Sequence, residues 1–133
     1  MIRWPGTGAL KPFARPQRWL GLWWTMIALV IVGSLLPALL LPNLPAGSDK
    51  IEHLLGYAVL SAMAVQLFAG RTALLRACGG LVAMGVLIEI AQGTLTTTRA
   101  MDPWDALANT LGVLAGLATA LTPMRNALLK LER

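Results

Sequence analysis

The chain has 133 residues, of which 56% are hydrophobic and only 13% charged, and its net charge is +5 at neutral pH. Soluble domains carry about 25% charged residues, so this composition excludes an ordinary globular domain and favours a membrane protein. The basic residues form no compact motif, which argues against a nucleic-acid partner. Because Cys78 is the single cysteine, an intrachain disulfide and a thiolate metal site are also excluded.

The N-terminal residues 1–18 combine basic side chains with prolines and are predicted to form an irregular basic arm. Trp19, Trp23 and Trp24 follow, as is typical of a membrane boundary. A first transmembrane helix is predicted over residues 20–41, because this stretch has no charge and roughly 20 residues cross the hydrocarbon core. It exceeds the roughly 7–15 apolar residues of a cleavable signal peptide, so we expect an uncleaved helix.

Two further helices are predicted after a loop at residues 42–47, which is rich in proline and glycine. The second helix covers about residues 48–69 and is polar at its start. A short basic turn at residues 70–76 leads to the third helix, over about residues 77–95. Each of these helices is long enough to cross a membrane.

The fourth helix is predicted to begin after Asp102, which can cap it, with Pro103 at the first helical position. It ends near Leu121, and residues 122–133 form a basic tail. The predicted fold is therefore all-α: a polytopic membrane protein with a four-transmembrane-helix bundle over residues 19–121.

The distribution of lysine and arginine predicts the orientation, since cytoplasmic loops are enriched in both. Nine of the eleven lie in the N-terminal arm, the 70–76 turn and the tail, whereas Lys50 and Arg99 lie on the other side. Both termini are therefore predicted to be cytoplasmic. The expected location is the cell inner (plasma) membrane, with the loops at residues 42–50 and 96–103 extracytoplasmic.

Most acidic residues and the only histidine are predicted to gather in the extracytoplasmic half of the bundle. Ionisable groups inside a membrane are costly, roughly 2.5–3.5 kcal/mol for Asp, Lys or Arg at mid-bilayer, and indicate function. Helical spacing places the polar residues on inward faces that continue as small residues. These faces are Asp49, His53, Gly56 and Tyr57 on the second helix, Gly85, Glu89, Gln92 and Thr96 on the third, and Asp102, Asp105, Asn109, Gly112 and Gly116 on the fourth.

Within this cluster we predict two groups of residues. The candidate catalytic residues are His53, Glu89 and Asp105. The candidate ligand-binding residues are Asp49, Lys50, Tyr57, Gln92, Arg99, Asp102 and Asn109. The sequence identifies no cofactor, and it contains no H-E-x-x-H metalloenzyme motif.

Several of these residues also have purely structural interpretations. Glu89 is either a functional group or a carboxylate paired with Arg99 or Gln92. His53 is an interfacial hydrogen-bonding residue, a proton-transfer group or a metal ligand. Asp102 is a helix cap or a site residue, and Arg99 is a loop charge or an anchor for a phosphate or carboxylate.

The order of these residues resembles the VanZ-like family over residues 34–116. The resemblance rests on Ser34 and Pro37, then Asp49-Lys50, His53, Tyr57, Glu89-x-x-Gln92, Arg99, Asp102, Asp105, Asn109 and Gly112. The family is named for a protein conferring low-level teicoplanin resistance, so the resemblance implies a role in the cell envelope with a polar extracytoplasmic site. Residues 96–98, three threonines, depart from the proline- or glycine-containing approach expected there.

The preferred hypothesis is an envelope protein that binds or modifies a polar head group, such as that of a lipid-linked cell-wall precursor or a glycopeptide. A second hypothesis is a membrane enzyme that uses His53 and carboxylates, with or without a divalent cation on Glu89, Asp102 and Asp105. A third is a small proton-coupled transporter, and a fourth is a structural accessory subunit. The lipid bilayer is the expected partner, and the oligomeric state is left open.

Overall fold

The structure is a computed structural model that describes residues 9–36, 45, 48–97 and 101–132. The α-helices in these ranges are α1 (Pro16–Leu35), α2 (Ser48–Leu67), α3 (Arg71–Leu95), α4 (Pro103–Ala118) and α5 (Ala127–Glu132). Short 3-10 helices at Thr119–Leu121 and Pro123–Asn126 join α4 to α5. The described residues contain no β-strand, only an isolated bridge between Leu10 and Phe68. The all-α prediction is confirmed at this level.

Three helical segments are long and apolar enough to cross a membrane: Pro16–Leu35, Arg71–Leu95 and Pro103–Leu121. Helix α2 has the same length as α1, 20 residues, but its first turns carry Asp49, Lys50 and Glu52 and lower its mean hydropathy. Many large apolar side chains on the outside of the bundle are exposed, as expected of surfaces that contact lipid. These features support a membrane protein with three candidate spans.

Two predicted helix boundaries are wrong. Helix α1 begins at Pro16 and not near residue 20, because a proline in the first turn lacks only an N–H that would have no partner within the helix. Helix α3 begins at Arg71, so residues 71–76 are helical and not a turn. The chain reverses its direction between α2 and α3 within residues 68–70, and Gly70, at φ +80°, allows this tight connection. Helix α1 ends at Leu35, and the predicted continuation over residues 37–41 lies outside the described residues.

The closest helix pair is α2 and α4, whose backbones meet at two glycines. A Cβ on Gly112 would contact the carbonyl oxygen of Leu54, and a Cβ on Gly116 would contact that of Ala58. Small residues allow such close approach in lipid, where helix association depends on packing. The Ser61 hydroxyl adds a hydrogen bond of 2.7 Å to the carbonyl oxygen of Val113. Together, these contacts fix the register between α2 and α4, so the polar first turns of the two helices lie side by side.

The opposite end of the bundle is closed by the N-terminal segment and α5. The Trp19 indole N–H donates to Glu132 Oε2 at 2.7 Å, and the backbone N–H of Arg15 donates to Glu132 Oε1 at 3.0 Å. Leu129 of α5 is buried, and the backbone N–H of Lys11 donates to the Leu67 carbonyl at 2.8 Å. The predicted basic tail therefore contains a short helix that packs on the bundle.

Candidate functional site

The predicted site residues that the structure describes meet at one end of the bundle, which we call the polar end. It consists of the last turn of α1, the first turns of α2 and α4, and the last turns of α3. Helices α2 and α4 both start here, so their polar first turns face each other. The predicted inward orientation is confirmed for the buried residues Tyr57, Glu89, Gln92, Asp105 and Asn109, but it is wrong for Asp49, which is exposed at the start of α2. Arg99 lies outside the described residues.

Lys50 is bound by carboxylates on both sides of the α2–α4 contact. Its Nζ lies 2.8 Å from Asp102 Oδ2, 2.9 Å from Asp105 Oδ1 and 3.4 Å from Asp49 Oδ2. Three carboxylates thus compensate the ammonium charge, and Lys50 is less suited to hold an anionic ligand than its sequence context suggested. Its role in the structure is to join α2 to the start of α4.

Asp102 caps α4, as the sequence predicted. Its Oδ1 accepts a hydrogen bond of 2.9 Å from the backbone N–H of Trp104, and Pro103 occupies the first helical position. The hydrogen bond from Lys50, followed by that from the Trp104 N–H, lowers the pKa of Asp102 below its ordinary value. Asp102 is therefore an ionised structural residue that links the cap to Lys50.

His53 lies between Asn109 and Asp105. Its Nδ1 is 2.8 Å from Asn109 Oδ1, and its Nε2 is 3.8 Å from Asp105 Oδ2. With the Asn109 amide oriented so that Oδ1 faces the ring, Nδ1 is the donor of this hydrogen bond, and Asn109 Nδ2 is buried without a partner among the described residues. Neutral His53 consequently presents the lone pair of Nε2 towards Asp105, in the tautomer that suits a general base or a metal ligand.

Glu89 is 3% exposed and has one oxygen without a partner among the described residues. Its Oε2 accepts a hydrogen bond of 3.1 Å from the backbone N–H of Asp102, whereas Oε1 is buried and unpaired. The suggested pairing with Gln92 is not observed, because the Gln92 amide donates to the Ser34 carbonyl at 2.7 Å. The hydroxyl of Tyr57 is also buried without a partner in this part of the chain. Unsatisfied buried groups are rare in native proteins, and each one requires an explanation such as a bound water, an ion or a catalytic role.

The three candidate catalytic residues converge. His53, Glu89 and Asp105 each offer a ligand atom within 4.8 Å of those of the other two. Gly85 of α3 allows Asn109 and Tyr57 to pack closely beside the cluster, because an added Cβ would lie only 3.1 Å from Asn109 Nδ2 and 3.4 Å from the Tyr57 ring. Asp102 is not part of this group, in contrast to the cation set that the sequence suggested. The cluster can exchange protons or bind a cation.

A groove of about 280 Å³ opens beside the cluster, between α1 and α2. Helix α1 supplies mainly apolar groups to one wall, and α2 supplies the polar wall. The lining residues are Leu29, Val30, Gly33, Ser34, Asp49, Glu52, His53, Gly56 and Tyr57. His53 and Tyr57 line this groove, and His53 also belongs to the cluster.

Glu52 is the residue in this groove that the site prediction missed. The sequence could have predicted that Glu52 lies on the same helix face as the site. Asp49, Glu52, His53 and Gly56 follow the i, i+3, i+4, i+7 spacing of one helical stripe. The predicted stripe on the second helix was narrower and left Glu52 out.

Comparison with known proteins found no matching protein family, no matching curated protein and no matching solved structure. The polar end is therefore interpreted from its own geometry. Its main features are a groove with one apolar and one polar wall, a buried cluster of three ionisable side chains, and unpaired buried oxygens.

Proposed function

We propose that this chain is a multi-pass protein of the cell inner membrane, resembling the VanZ-like family, that binds or modifies the polar head group of an amphiphile at the extracytoplasmic face. The observation that carries the proposal is the groove between α1 and α2. Its apolar wall, with Leu29 and Val30, suits an acyl or isoprenoid chain, and its polar wall, with Asp49 and Glu52, suits a head group. His53 and Tyr57 extend the polar wall towards the buried cluster.

In this proposal α2 is the fourth transmembrane helix and both termini are cytoplasmic. At about 1.5 Å per residue, a helix of 20 residues reaches roughly 30 Å, which matches the hydrocarbon core. The positive-inside rule supports the orientation. The basic residues Arg15, Arg71 and Arg125 lie at the ends of helices remote from the polar end.

The groove favours a head group rich in hydroxyl or amino groups. Asp49 and Glu52 are exposed carboxylates that accept hydrogen bonds, and Lys50 is already bound by acids. Sugars and peptide amines provide such donors, and both occur in the proposed ligand class of lipid-linked cell-wall precursors and glycopeptides. Arg99 keeps its predicted role as the anchor of an anionic group of the same ligand.

Native mass spectrometry of the full chain from mild detergent tests the proposal. We expect co-purified amphiphile on the wild type and its loss from an Asp49→Asn/Glu52→Gln variant, because both changes weaken the acceptors of the polar wall. Thr94→Val is a matched control, since Thr94 is exposed on α3 and its hydroxyl donates only to Ile90 of its own helix. Equal amphiphile binding by all three proteins would contradict the proposal.

The enzyme hypothesis is the second candidate, and the tautomer of His53 favours it. The Nε2 lone pair, 3.8 Å from Asp105 Oδ2 and near buried Glu89, suits general acid–base chemistry on a bound head group. Turnover of an envelope lipid extract by the wild type, but not by His53→Asn, would support it. Unchanged lipids after prolonged incubation would count against it.

Proton-coupled transport has weaker support. The interior between the cluster and the basic end is lined by buried apolar residues such as Leu60, Ala64 and Val113. Proton flux in proteoliposomes that Glu89→Gln abolishes would favour a transporter, and its absence would favour head-group binding.

A further inference from the structure

Three side chains at the polar end are each held through one polar atom while a second polar atom remains available. His53 is held at Nδ1 by Asn109, and Asp105 is held at Oδ1 by Lys50. Glu89 is held at Oε2 by the backbone N–H of Asp102. The available atoms are Nε2 of His53, Oδ2 of Asp105 and Oε1 of Glu89. Outer hydrogen bonds that orient ligands in this way are typical of metal sites.

We propose that His53, Glu89 and Asp105 bind one divalent transition-metal cation. Each offers a ligand atom within 4.8 Å of the other two, and Glu89 Oε1 is buried without a partner among the described residues. With metal–ligand bonds of about 2.1 Å, tetrahedral ligands lie roughly 3.4 Å apart. The 3.8 Å between His53 Nε2 and Asp105 Oδ2 is therefore within a small side-chain adjustment of that geometry.

The charge balance at the polar end also favours a divalent ion. Apart from the exposed Asp49, the carboxylates Glu89, Asp102 and Asp105 contribute three negative charges when all are ionised, and Lys50 contributes one positive charge. Two negative charges remain on groups that are partly or fully buried, where an uncompensated charge is expensive. One divalent cation neutralises them.

The donor set indicates the class of metal. One imidazole nitrogen and two carboxylate oxygens suit Zn²⁺ or Mn²⁺, whereas Mg²⁺ and Ca²⁺ prefer oxygen ligands throughout. Three protein ligands leave a coordination position open. Since His53 also lines the groove, that open position would meet the head group, a role that rests on the proposed function. Cation binding itself can be tested independently.

The first test is calorimetric titration of the EDTA-treated full chain, purified without a histidine tag, with Zn²⁺, Mn²⁺ and Mg²⁺. We expect one Zn²⁺ or Mn²⁺ per chain and much weaker binding of Mg²⁺. His53→Ala and Glu89→Gln should each weaken Zn²⁺ binding at least tenfold, and Asn109→Ala should weaken it by about 10–100-fold as an outer-shell change. Glu132→Gln is the matched control, because Glu132 lies at the opposite end of the bundle and glutamine keeps an oxygen that can accept the hydrogen bond from the Trp19 indole. No Zn²⁺ or Mn²⁺ binding by the wild type, or equal Zn²⁺ affinity in all four variants, would overturn the proposal.

A second measurement needs no variant and so does not depend on whether a mutant folds. His53 is the only histidine of the chain, so nitrogen modulation from an imidazole in the electron spin-echo signal of bound Mn²⁺ identifies it. Absence of that modulation would overturn the proposal. Amphiphile binding measured in EDTA separates the two ideas: if it persists while Zn²⁺ and Mn²⁺ fail to bind, only the cation site is wrong. If Zn²⁺ binds and no amphiphile does, only the head-group function is wrong.

Discussion

The contact between α2 and α4 predicts that Gly116→Ala destabilises the bundle. A Cβ at this position would meet the Ala58 carbonyl oxygen and would lie 2.7 Å from both Ala62 N and Ser61 Cβ, whereas ordinary contact begins at 3.4 Å. Two of the three atoms are backbone, so a rotamer change cannot relieve the overlap. The helices must separate by at least roughly 0.7 Å, the difference between these two distances, because the Ala58 carbonyl oxygen is closer still.

The size of the effect follows from two opposing contributions. Overpacking costs about 1–3 kcal/mol, and a clash with backbone belongs at the upper end of this range. Alanine gains about 1 kcal/mol over glycine inside a helix. The net loss in unfolding free energy is therefore about 2 kcal/mol. Zn²⁺ affinity should fall as well, because the separation moves Asp105 away from His53.

Unfolding in mixed micelles with increasing dodecyl sulfate, followed by far-UV circular dichroism, measures this loss. Gly79→Ala is the matched control, since Gly79 is an exposed helical glycine of α3 with nothing within 4 Å of an added Cβ. It should be neutral or stabilising by up to about 1 kcal/mol. If Gly116→Ala unfolds at the same dodecyl sulfate fraction as Gly79→Ala, the close packing of α2 against α4 is wrong.

Three further predictions concern single side chains. Lys50→Met should lower the thermal midpoint of unfolding because it leaves Asp102 and Asp105 without a compensating cation. Lys50→Arg keeps the positive charge and should retain most of the stability. Equal thermal midpoints for the two variants would contradict this prediction. The pKa of Asp102 is lowered by the Lys50 hydrogen bond, so its stabilisation is complete above the ordinary carboxyl pKa and is lost as the pH falls through the lowered pKa. Asp102→Asn should therefore flatten the decline of the thermal midpoint as the pH falls below about 4, the ordinary carboxyl pKa, and an unchanged decline would refute the assignment. Cys78 is 4% exposed, so its thiol should react with a maleimide only after unfolding, and rapid labelling in mild detergent would contradict the packing.

The features that the sequence predicts well depend on local chemistry. The cap at Asp102 and the first helical position of Pro103 involve neighbouring residues, so the sequence contains all the information they need. The inward orientation of Glu89 and Asn109 follows from helical periodicity and the cost of exposing polar groups to lipid.

The partner of each side chain depends on the register between helices, which periodicity does not determine. Glu89 pairs with the backbone of Asp102 and not with Gln92 of its own helix, because α4 begins beside the last turns of α3. Lys50 reaches Asp102 and Asp105 because the glycine contacts align the starts of α2 and α4. The sequence therefore indicated which residues form the cluster. It did not indicate that neighbouring carboxylates balance the positive charge of Lys50.

The central claim is that the groove between α1 and α2 holds an amphiphile with a polar head group, and in vivo photo-crosslinking tests it most directly. A photoreactive amino acid at Leu29 would stand in the apolar wall of the groove, whereas one at Leu107 of α4 would be a matched lipid-facing position near the level of the cluster. We predict that position 29 captures a lipid-linked glycan or peptide that position 107 does not, and that Asp49→Asn/Glu52→Gln abolishes this product. Capture of the same bulk phospholipids at both positions would contradict the claim.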